Sequence, residues 1–414
     1  MTSDQSVLSR QDAKNFPYNS SFFLATLAVD DIFFRISPKA IRQKMRNASN
    51  MPKTGQIRQS AFVPAWWLSN GHLQTLWASV IRRIPKPVTR RERLELPDGD
   101  FVDLDWTPGG SGPLVIVLHG LQGSLNSLYT RGIMGALQKR GMRAVFMHFR
   151  GCSGVSNRLP RFYHAGDTGD LNTLVNTLRE REPGTPLAAI GYSIGGNVLL
   201  KWLGEQGIHA PLQAAVAVSV PFDLSDSARR LERGFSQVYQ HHLLRSMRYS
   251  VEKKFRHMLA PIALDGLENL RTFTEYDNAV TAPLHGFAGA ADYYRQSSCR
   301  RYLKHIRIPT LILHAADDPF MTPAAIPQQD QLSPSVILEL SARGGHVGFI
   351  SGNSPWKSRY WLEHRIPDFI LPFLTASIPD EKEWHDDTEW LPDQTDAAPI
   401  SSETGHDPRL HSIK

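Results

Sequence analysis

Apolar and polar positions along this chain first alternate and then run together. Residues 91–96 and 101–106 alternate around Pro97-Asp98-Gly99-Asp100, the pattern of two strands joined by a tight turn. After a glycine-rich loop, residues 114–118 form an unbroken aliphatic run, as a strand covered on both faces requires. Three further runs, at 144–149, 187–190 and 214–220, alternate with helix-length stretches at 128–139, 167–181 and 196–206. Strand, helix, strand in that order predicts a mainly parallel sheet with helices on both faces.

The rhythm breaks at Phe222. From there to about Ile306 charged helical segments such as 227–242 and 251–259 replace it, which predicts a helical insertion acting as a lid. Runs at 310–314 and 336–340 restore the strand pattern, and 360–374 reads as a closing amphipathic helix. The expected organisation is therefore a core over 61–221 and 307–376, a lid over 222–306, a partly helical extension over 1–60, and a tail over 377–414. That tail is acidic and poor in aliphatics, so it is expected to be disordered.

Composition adds bounds rather than a function. At 41% hydrophobic and 21% charged residues, the chain can bury a sizeable core and lies far from disordered or fibrous compositions. Its 414 residues fit one large α/β domain with tails. Cys152 and Cys299 cannot build a disulfide framework, and neither sits at zinc-finger spacing, so both are expected to be buried free thiols. The first residues lack a basic segment followed by an uninterrupted apolar stretch, so a cytoplasmic location is expected. The apolar window at 22–36, broken by Asp30 and Asp31, is too short to span a bilayer. It fits a helix packed on the body or lying at a membrane surface, the first being favoured.

The net charge of +6 reflects local clusters such as Arg82, Arg83, Lys86, Arg90, Arg91 and Arg93, without the motifs that accompany nucleic-acid binding. The lid carries another set, Arg229, Arg230, Arg233, Arg245, Arg248, Lys253, Lys254 and Arg256. A solvated helix pair is the favoured reading of it. Peripheral contact with anionic membrane is the alternative.

Candidate chemistry begins at Gly191-Tyr192-Ser193-Ile194-Gly195, between a strand-like and a helix-like run. A Gly-x-Ser-x-Gly turn in that position holds the serine hydroxyl clear of the sheet, which makes Ser193 the candidate nucleophile. A serine hydroxyl needs a base to take its proton, and the base needs an orienting group. Those partners are expected after the later strands in the order acid, then histidine. The run at 310–314 leads into Asp317-Asp318-Pro319, and the run at 336–340 leads to Gly344-Gly345-His346. His346 is the candidate base and Asp318 the favoured acid, with the neighbouring Asp317 expected to hydrogen-bond the turn. The oxyanion of an attacked carbonyl needs preorganised amides. Those map to Ile194, after the nucleophile, and Leu121, in the loop His119-Gly120-Leu121-Gln122-Gly123. His119 itself is read as bracing that loop.

Several segments together resemble the α/β-hydrolase superfamily and, within it, the YheT-like hydrolase family. They are Trp67-Leu68-Ser69-Asn70-Gly71-His72-Leu73-Gln74-Thr75-Leu76, the loop at 119–123, Arg150-Gly151-Cys152-Ser153-Gly154, Tyr163-His164-Ala165-Gly166-Asp167-Thr168, Thr281-Ala282-Pro283-Leu284-His285-Gly286-Phe287, and the Asp318 and His346 segments. The Asn-Gly-His-Leu-Gln-Thr stretch is the most specific of these. The resemblance implies an α/β-hydrolase fold, with a mainly parallel eight-stranded-type sheet flanked by helices and a helical lid, working without metal or organic cofactor. It implies a Ser193-Asp318-His346 triad and a small-molecule ester or acyl substrate of short to medium chain. Ala165 departs from it, a serine being expected there. Serine carboxylic-ester hydrolase is the leading reading. Acyl transfer to an alcohol through the same acyl-enzyme and a non-catalytic binding module are the alternatives.

Overall fold

The computed structural model describes residues 54–375. The helix expected at 22–36, the extension up to residue 53 and the acidic tail lie outside the described residues. Nine strands form one sheet: β1 (Gln56–Gln59), β2 (Arg90–Glu95), β3 (Phe101–Trp106), β4 (Leu114–Leu118), β5 (Arg143–Met147), β6 (Leu187–Tyr192), β7 (Ala214–Val218), β8 (Thr310–Ala315) and β9 (Val336–Ser341). Their order is β1-β9-β8-β7-β6-β4-β5-β3-β2. Every pairing from β1 through β5 is parallel, and β3 pairs antiparallel with both β5 and β2.

The central strands are buried along their whole length because each apolar run feeds two cores at once. Successive side chains point to opposite faces. Leu114, Ile116 and Leu118 pack with Leu171, Leu174, Val198 and Trp202 on one side, while Val115 and Val117 pack with Ile133, Leu137, Ile366 and Ile370 on the other. Those helical residues come from α2 (Leu128–Lys139), α3 (Gly169–Arg181), α4 (Ile194–Gln206) and α10 (Leu362–Thr375), while α1 (Gly71–Leu76) is a short helix ahead of the sheet's first hairpin. Both cysteines are free; Cys299 is buried as expected, whereas Cys152 is only partly buried, with desolvation still raising its thiol to about 12.

Two expectations need correction. The sheet has nine strands rather than eight, and the additional one, β1, lies inside the segment assigned to the extension over 1–60. As an edge strand of sequence Gln-Ile-Arg-Gln with three exposed positions, it carries no apolar run to announce it. Its pairing with β9 nonetheless makes it part of the core sheet. Between β7 and β8 the described chain is helical, but it breaks differently from the expected 227–242 and 251–259. Helix α5 (Leu224–Leu231) is followed by α6 (Ser236–Phe255), a single helix of 20 residues. The break falls at Gly234, whose φ of 57° suits glycine, and Leu244, Met247 and Val251 then carry a continuous apolar stripe across the expected gap. Helices α7 (Phe273–Tyr276), α8 (Ala282–His285) and α9 (Ala290–Ser297) complete this segment. Its own core joins Leu231, Tyr239, Leu244, Met247, Phe273 and Tyr293. Among the described residues, no helix is long and apolar enough to cross a membrane.

Candidate active site

Ser193 sits at the turn from β6 into α4 with φ 52° and ψ −120°, a conformation that a non-glycine residue holds at some cost in strain. The surrounding glycines are what make the turn sterically possible. A Cβ on Gly191 would lie 2.4 Å from the Gly195 carbonyl oxygen, and one on Gly195 would lie 2.5 Å from the carbonyl oxygen of His119. The Ser193 amide donates to the Val218 carbonyl at 2.8 Å, which anchors the strained residue to β7.

The hydroxyl meets His346, whose Nε2 is 3.0 Å from Ser193 Oγ. The other ring nitrogen, Nδ1, lies 2.9 Å from Asp318 Oδ2 and 3.2 Å from Oδ1. Asp318 is 4% exposed, and its Oδ1 also accepts from the Phe320 amide at 2.8 Å. A carboxylate on Nδ1 fixes the tautomer in which Nε2 is free to accept a proton from the hydroxyl. The adjacent Asp317 turns the other way. Its Oδ1 accepts from the amides of Gly344 and Gly345 at 2.8 and 2.9 Å, so it shapes the histidine loop, and burial raises its pKa. The choice of Asp318 over Asp317 thus corresponds to the carboxylate that touches the imidazole.

The predicted oxyanion positions come to the same place. Leu121 and Ile194 line one cavity with Ser193 and His346. In the loop after β4, the Gly120 amide donates to Tyr129 Oη, that of Gln122 to Tyr163 Oη and that of Gly123 to the Gly120 carbonyl, each at 2.9 Å. The Leu121 amide has no partner among the described residues, and Ile194, first residue of α4, has no carbonyl one turn back to donate to. A positive φ of 55° at Gln122 accompanies this turn. His119 braces it as expected: its Nδ1 donates to the Gly120 carbonyl at 2.6 Å and its Nε2 accepts from the Phe149 amide at 3.0 Å. Desolvation lowers its pKa to about 3, so the ring is neutral.

Sequence reasoning singled out the Asn-Gly-His-Leu-Gln-Thr stretch without giving it a job, and the structure supplies one. Asn70 caps α1 by accepting from the Leu73 amide at 2.9 Å. Thr75 Oγ1 donates to the Gly71 carbonyl and accepts from the His346 amide at 2.8 Å. The fully buried Gln74 donates through Nε2 to the carbonyls of Leu68 and Ile350 and accepts the Ile350 amide at 2.7 Å. Ser219, at φ 52°, accepts the Val347 amide through Oγ at 3.0 Å. The His346 loop is therefore clamped from two sides. Phe320 adds a third contact, stacked on the imidazole with centroids 3.9 Å apart and planes at 12°; an aromatic after Asp-Pro was the available signal for it.

The cavity above Ser193 is walled mainly by Leu224, Ala228, Leu231, Leu243, Met247, Phe273 and Val280 of the helical segment. Of the eight basic residues noted there, Lys254 is buried. Its Nζ donates to the Asn157 carbonyl and to Asn157 Oδ1 at 2.9 and 2.6 Å, and desolvation lowers its pKa to about 8. It tethers α6 to the body and is lost to any surface patch. Ala165, where a serine was expected, uses its backbone instead: its amide donates to Tyr293 Oη and its carbonyl accepts from Asn197 Nδ2, so the missing hydroxyl leaves those contacts in place.

A mostly parallel sheet with a strained serine on the turn from a central strand into a helix, opposite a histidine on the loop after a later strand, defines a class. Residues 113–353 match the alpha/beta hydrolase fold family, and the chain belongs to that family. It is 45% identical over 321 residues to the Escherichia coli protein named "Putative esterase YheT", across 76% of this chain and 94% of that protein. It is 33% identical to mouse phospholipase ABHD3, across 72% of this chain and 75% of that one. To the monoacylglycerol lipase of Saccharomyces cerevisiae it is 30% identical, across 63% of this chain and 59% of the lipase.

Proposed function

We propose that this protein is a serine hydrolase of carboxylic esters with short to medium acyl chains. The observation that carries the reading is the contact series from Ser193 Oγ to His346 Nε2 at 3.0 Å and from His346 Nδ1 to Asp318 at 2.9 Å, at the base of a largely apolar cavity. Relatives named as an esterase, a phospholipase and a lipase support the same chemistry. In this reading His346 takes the hydroxyl proton as Ser193 Oγ bonds to the ester carbonyl carbon, and the Leu121 and Ile194 amides receive the oxyanion. The C–O bond to the alcohol then breaks, with the proton passing from His346 to the departing oxygen. Water repeats the sequence on the acyl-enzyme, releasing the acid and restoring Ser193. The helical segment at 222–306 acts as the lid, and its apolar side chains hold the acyl chain and exclude bulk water.

The test is labelling by a fluorophosphonate, located by mass spectrometry, together with turnover of p-nitrophenyl esters of graded acyl length. Ser193 is expected to carry the label, and Ser193→Ala is expected to lose turnover by about a millionfold. Folded protein that is unlabelled and inert toward every ester would leave a binding module. Ester product accumulating in preference to acid when an alcohol is added would make it an acyltransferase.

A further inference from the structure

The ester cavity contains polar groups that ester cleavage does not use. Its wall includes His164, in the turn before α3, and His285, at the end of α8. The two imidazoles meet edge to face with centroids 4.6 Å apart, framed by Phe287 and Tyr293 at 5.2 and 5.8 Å from the His164 ring. His164 Nδ1 accepts from the Gly166 amide at 3.1 Å. In a neutral ring the proton must then reside on Nε2, and Nε2 has no partner among the described residues. Neither nitrogen of His285 has one either. Both residues are half-buried rather than sealed in the core.

Both rings are kept uncharged. Burial and nearby cations lower each pKa to about 3. The cations themselves are already matched: Arg161 pairs with Asp167, Arg150 with Asp98, Asp100 and Asp170, and Lys201 with Glu205. The neighbouring Asp277 is committed to its own helix bundle, accepting from Thr281 Oγ1 at 2.6 Å and Tyr294 Oη at 2.7 Å. No group of three metal-binding side chains occurs among the described residues, so no third such ligand stands beside the histidine pair. What remains is a donor without a partner among the described residues, on the wall of a largely apolar cavity, and a bound ester that leaves it unmatched is disfavoured by about tenfold or more.

We propose that His164 and His285 form a polar subsite of the ester cavity that takes an uncharged oxygen of the substrate other than those of the scissile ester, a hydroxyl, ether or second ester oxygen. An apolar wall would accept a plain alkyl ester equally well; the imidazole pair discriminates in favour of the oxygenated one. A phosphate or carboxylate is disfavoured because the rings carry no charge and the adjacent cations are spoken for. The oxygen could belong to the acyl chain or to the alcohol. The inference rests on the ester-hydrolase reading above.

The experiment compares kcat/KM for p-nitrophenyl octanoate with its hydroxy and ether analogues, and methyl octanoate with monooctanoylglycerol, in the full-length protein, His164→Phe, His164→Gln and His285→Phe. Phenylalanine keeps the aromatic packing and removes the hydrogen bond; glutamine restores a donor. The oxygenated-to-plain ratio is expected to exceed one in the unsubstituted protein, to fall about tenfold in both phenylalanine variants and to recover in His164→Gln. The pair of esters that shows the effect identifies whether the acyl chain or the alcohol supplies the oxygen. Equal ratios in the unsubstituted protein and all variants, or preference for an ester bearing a terminal carboxylate, would overturn the subsite. Absence of turnover of every ester by the unsubstituted protein would overturn the hydrolase reading itself, and the subsite with it.

Discussion

The two walls of the cavity are built by different means. On the sheet side the polypeptide backbone does the positioning: Ser193 and Gln122 at positive φ, glycines in contact with carbonyl oxygens, and loop amides tied to Asp317, Thr75 and Ser219. On the helical side the wall is made of side chains from α5, α6 and α7, such as Leu231, Leu243, Met247 and Phe273, held by apolar packing. A backbone-built wall has one geometry, and a substitution that disturbs it acts on every substrate alike. A side-chain wall can change shape residue by residue. The first suits invariant chemistry, the second adjustable specificity.

That contrast is sharpest in the substrate dependence of two substitutions. Asp318→Asn keeps the shape but presents a donor where His346 needs an acceptor, so kcat should fall about ten-thousand-fold on every ester alike. Asp317→Asn should stay within about tenfold, because an amide oxygen still accepts the Gly344 and Gly345 amides. Leu243→Ala, on the opposite wall, should instead alter the ratio of kcat/KM between long and short acyl chains by about 10- to 200-fold, as differences of a few methylenes do. Steady-state kinetics over an acyl series read all three. An equal loss in the two aspartate variants would break the assignment of Asp318. A uniform loss in Leu243→Ala would break the contrast between the walls.

Stability should show the next largest effect. Gln74 satisfies three buried backbone groups, and each left without a partner costs about 1–3 kcal/mol. Partial entry of water would hold the total for Gln74→Ala near 3 kcal/mol, measured as a shift of the urea midpoint. The same variant should lower kcat, since α1 supports the His346 loop through Thr75. Loss of stability with unchanged kcat would show that the clamp matters to the fold and not to the site.

The same division explains what was legible in the sequence. Ser193, His346, Leu121 and Ile194, which the structure brings to one cavity, could be picked out as candidates because backbone constraints leave glycine motifs at fixed offsets from buried strands. Asp318 could be favoured over Asp317 but not separated from it by pattern, since a peptide step decides which of two neighbouring carboxylates faces the ring. Strand β1 was missed because an exposed edge strand needs no apolar residues. The run of α6 through residues 242–251 was missed because its stripe of Leu244, Met247 and Val251 is interleaved with charge. Phe320 had only its place after Asp-Pro to mark it, and Gln74 acts through tertiary contacts to an element distant in the chain, of which local periodicity carries no trace.

The smallest effect probes the backbone wall through pH. His119 is held neutral, with Nδ1 donating to the Gly120 carbonyl and Nε2 accepting from the Phe149 amide. Its folded pKa is lowered from the usual 6.5 to about 3. The unfolded chain therefore takes up the proton first as pH falls, and stability must decline from about pH 6.5 down to about pH 3. His164 and His285, also lowered to about 3, and His314, lowered to about 4, act in the same direction. Asp277, raised to about 6 by burial, acts in the opposite one, its contribution being lost as pH rises from 3.8 through about 6. Asp167, Asp170 and Asp317, also raised by burial, act with Asp277. Asp98, Asp100, Asp103 and Asp105, for which burial is outweighed by hydrogen bonds and ion pairs that lower them, act with the histidines. On balance, unfolding free energy measured in urea should increase with pH across this interval. His119→Gln should make that increase shallower without abolishing it. The loop around Leu121 loses a brace in that variant, so the Leu121 amide, proposed to receive the oxyanion, should be less well placed and kcat should fall while KM changes little. A slope identical to that of the unsubstituted protein would mean that the Phe149 amide finds another acceptor on acidification, and that the loop is less dependent on a single neutral ring than its hydrogen bonds imply.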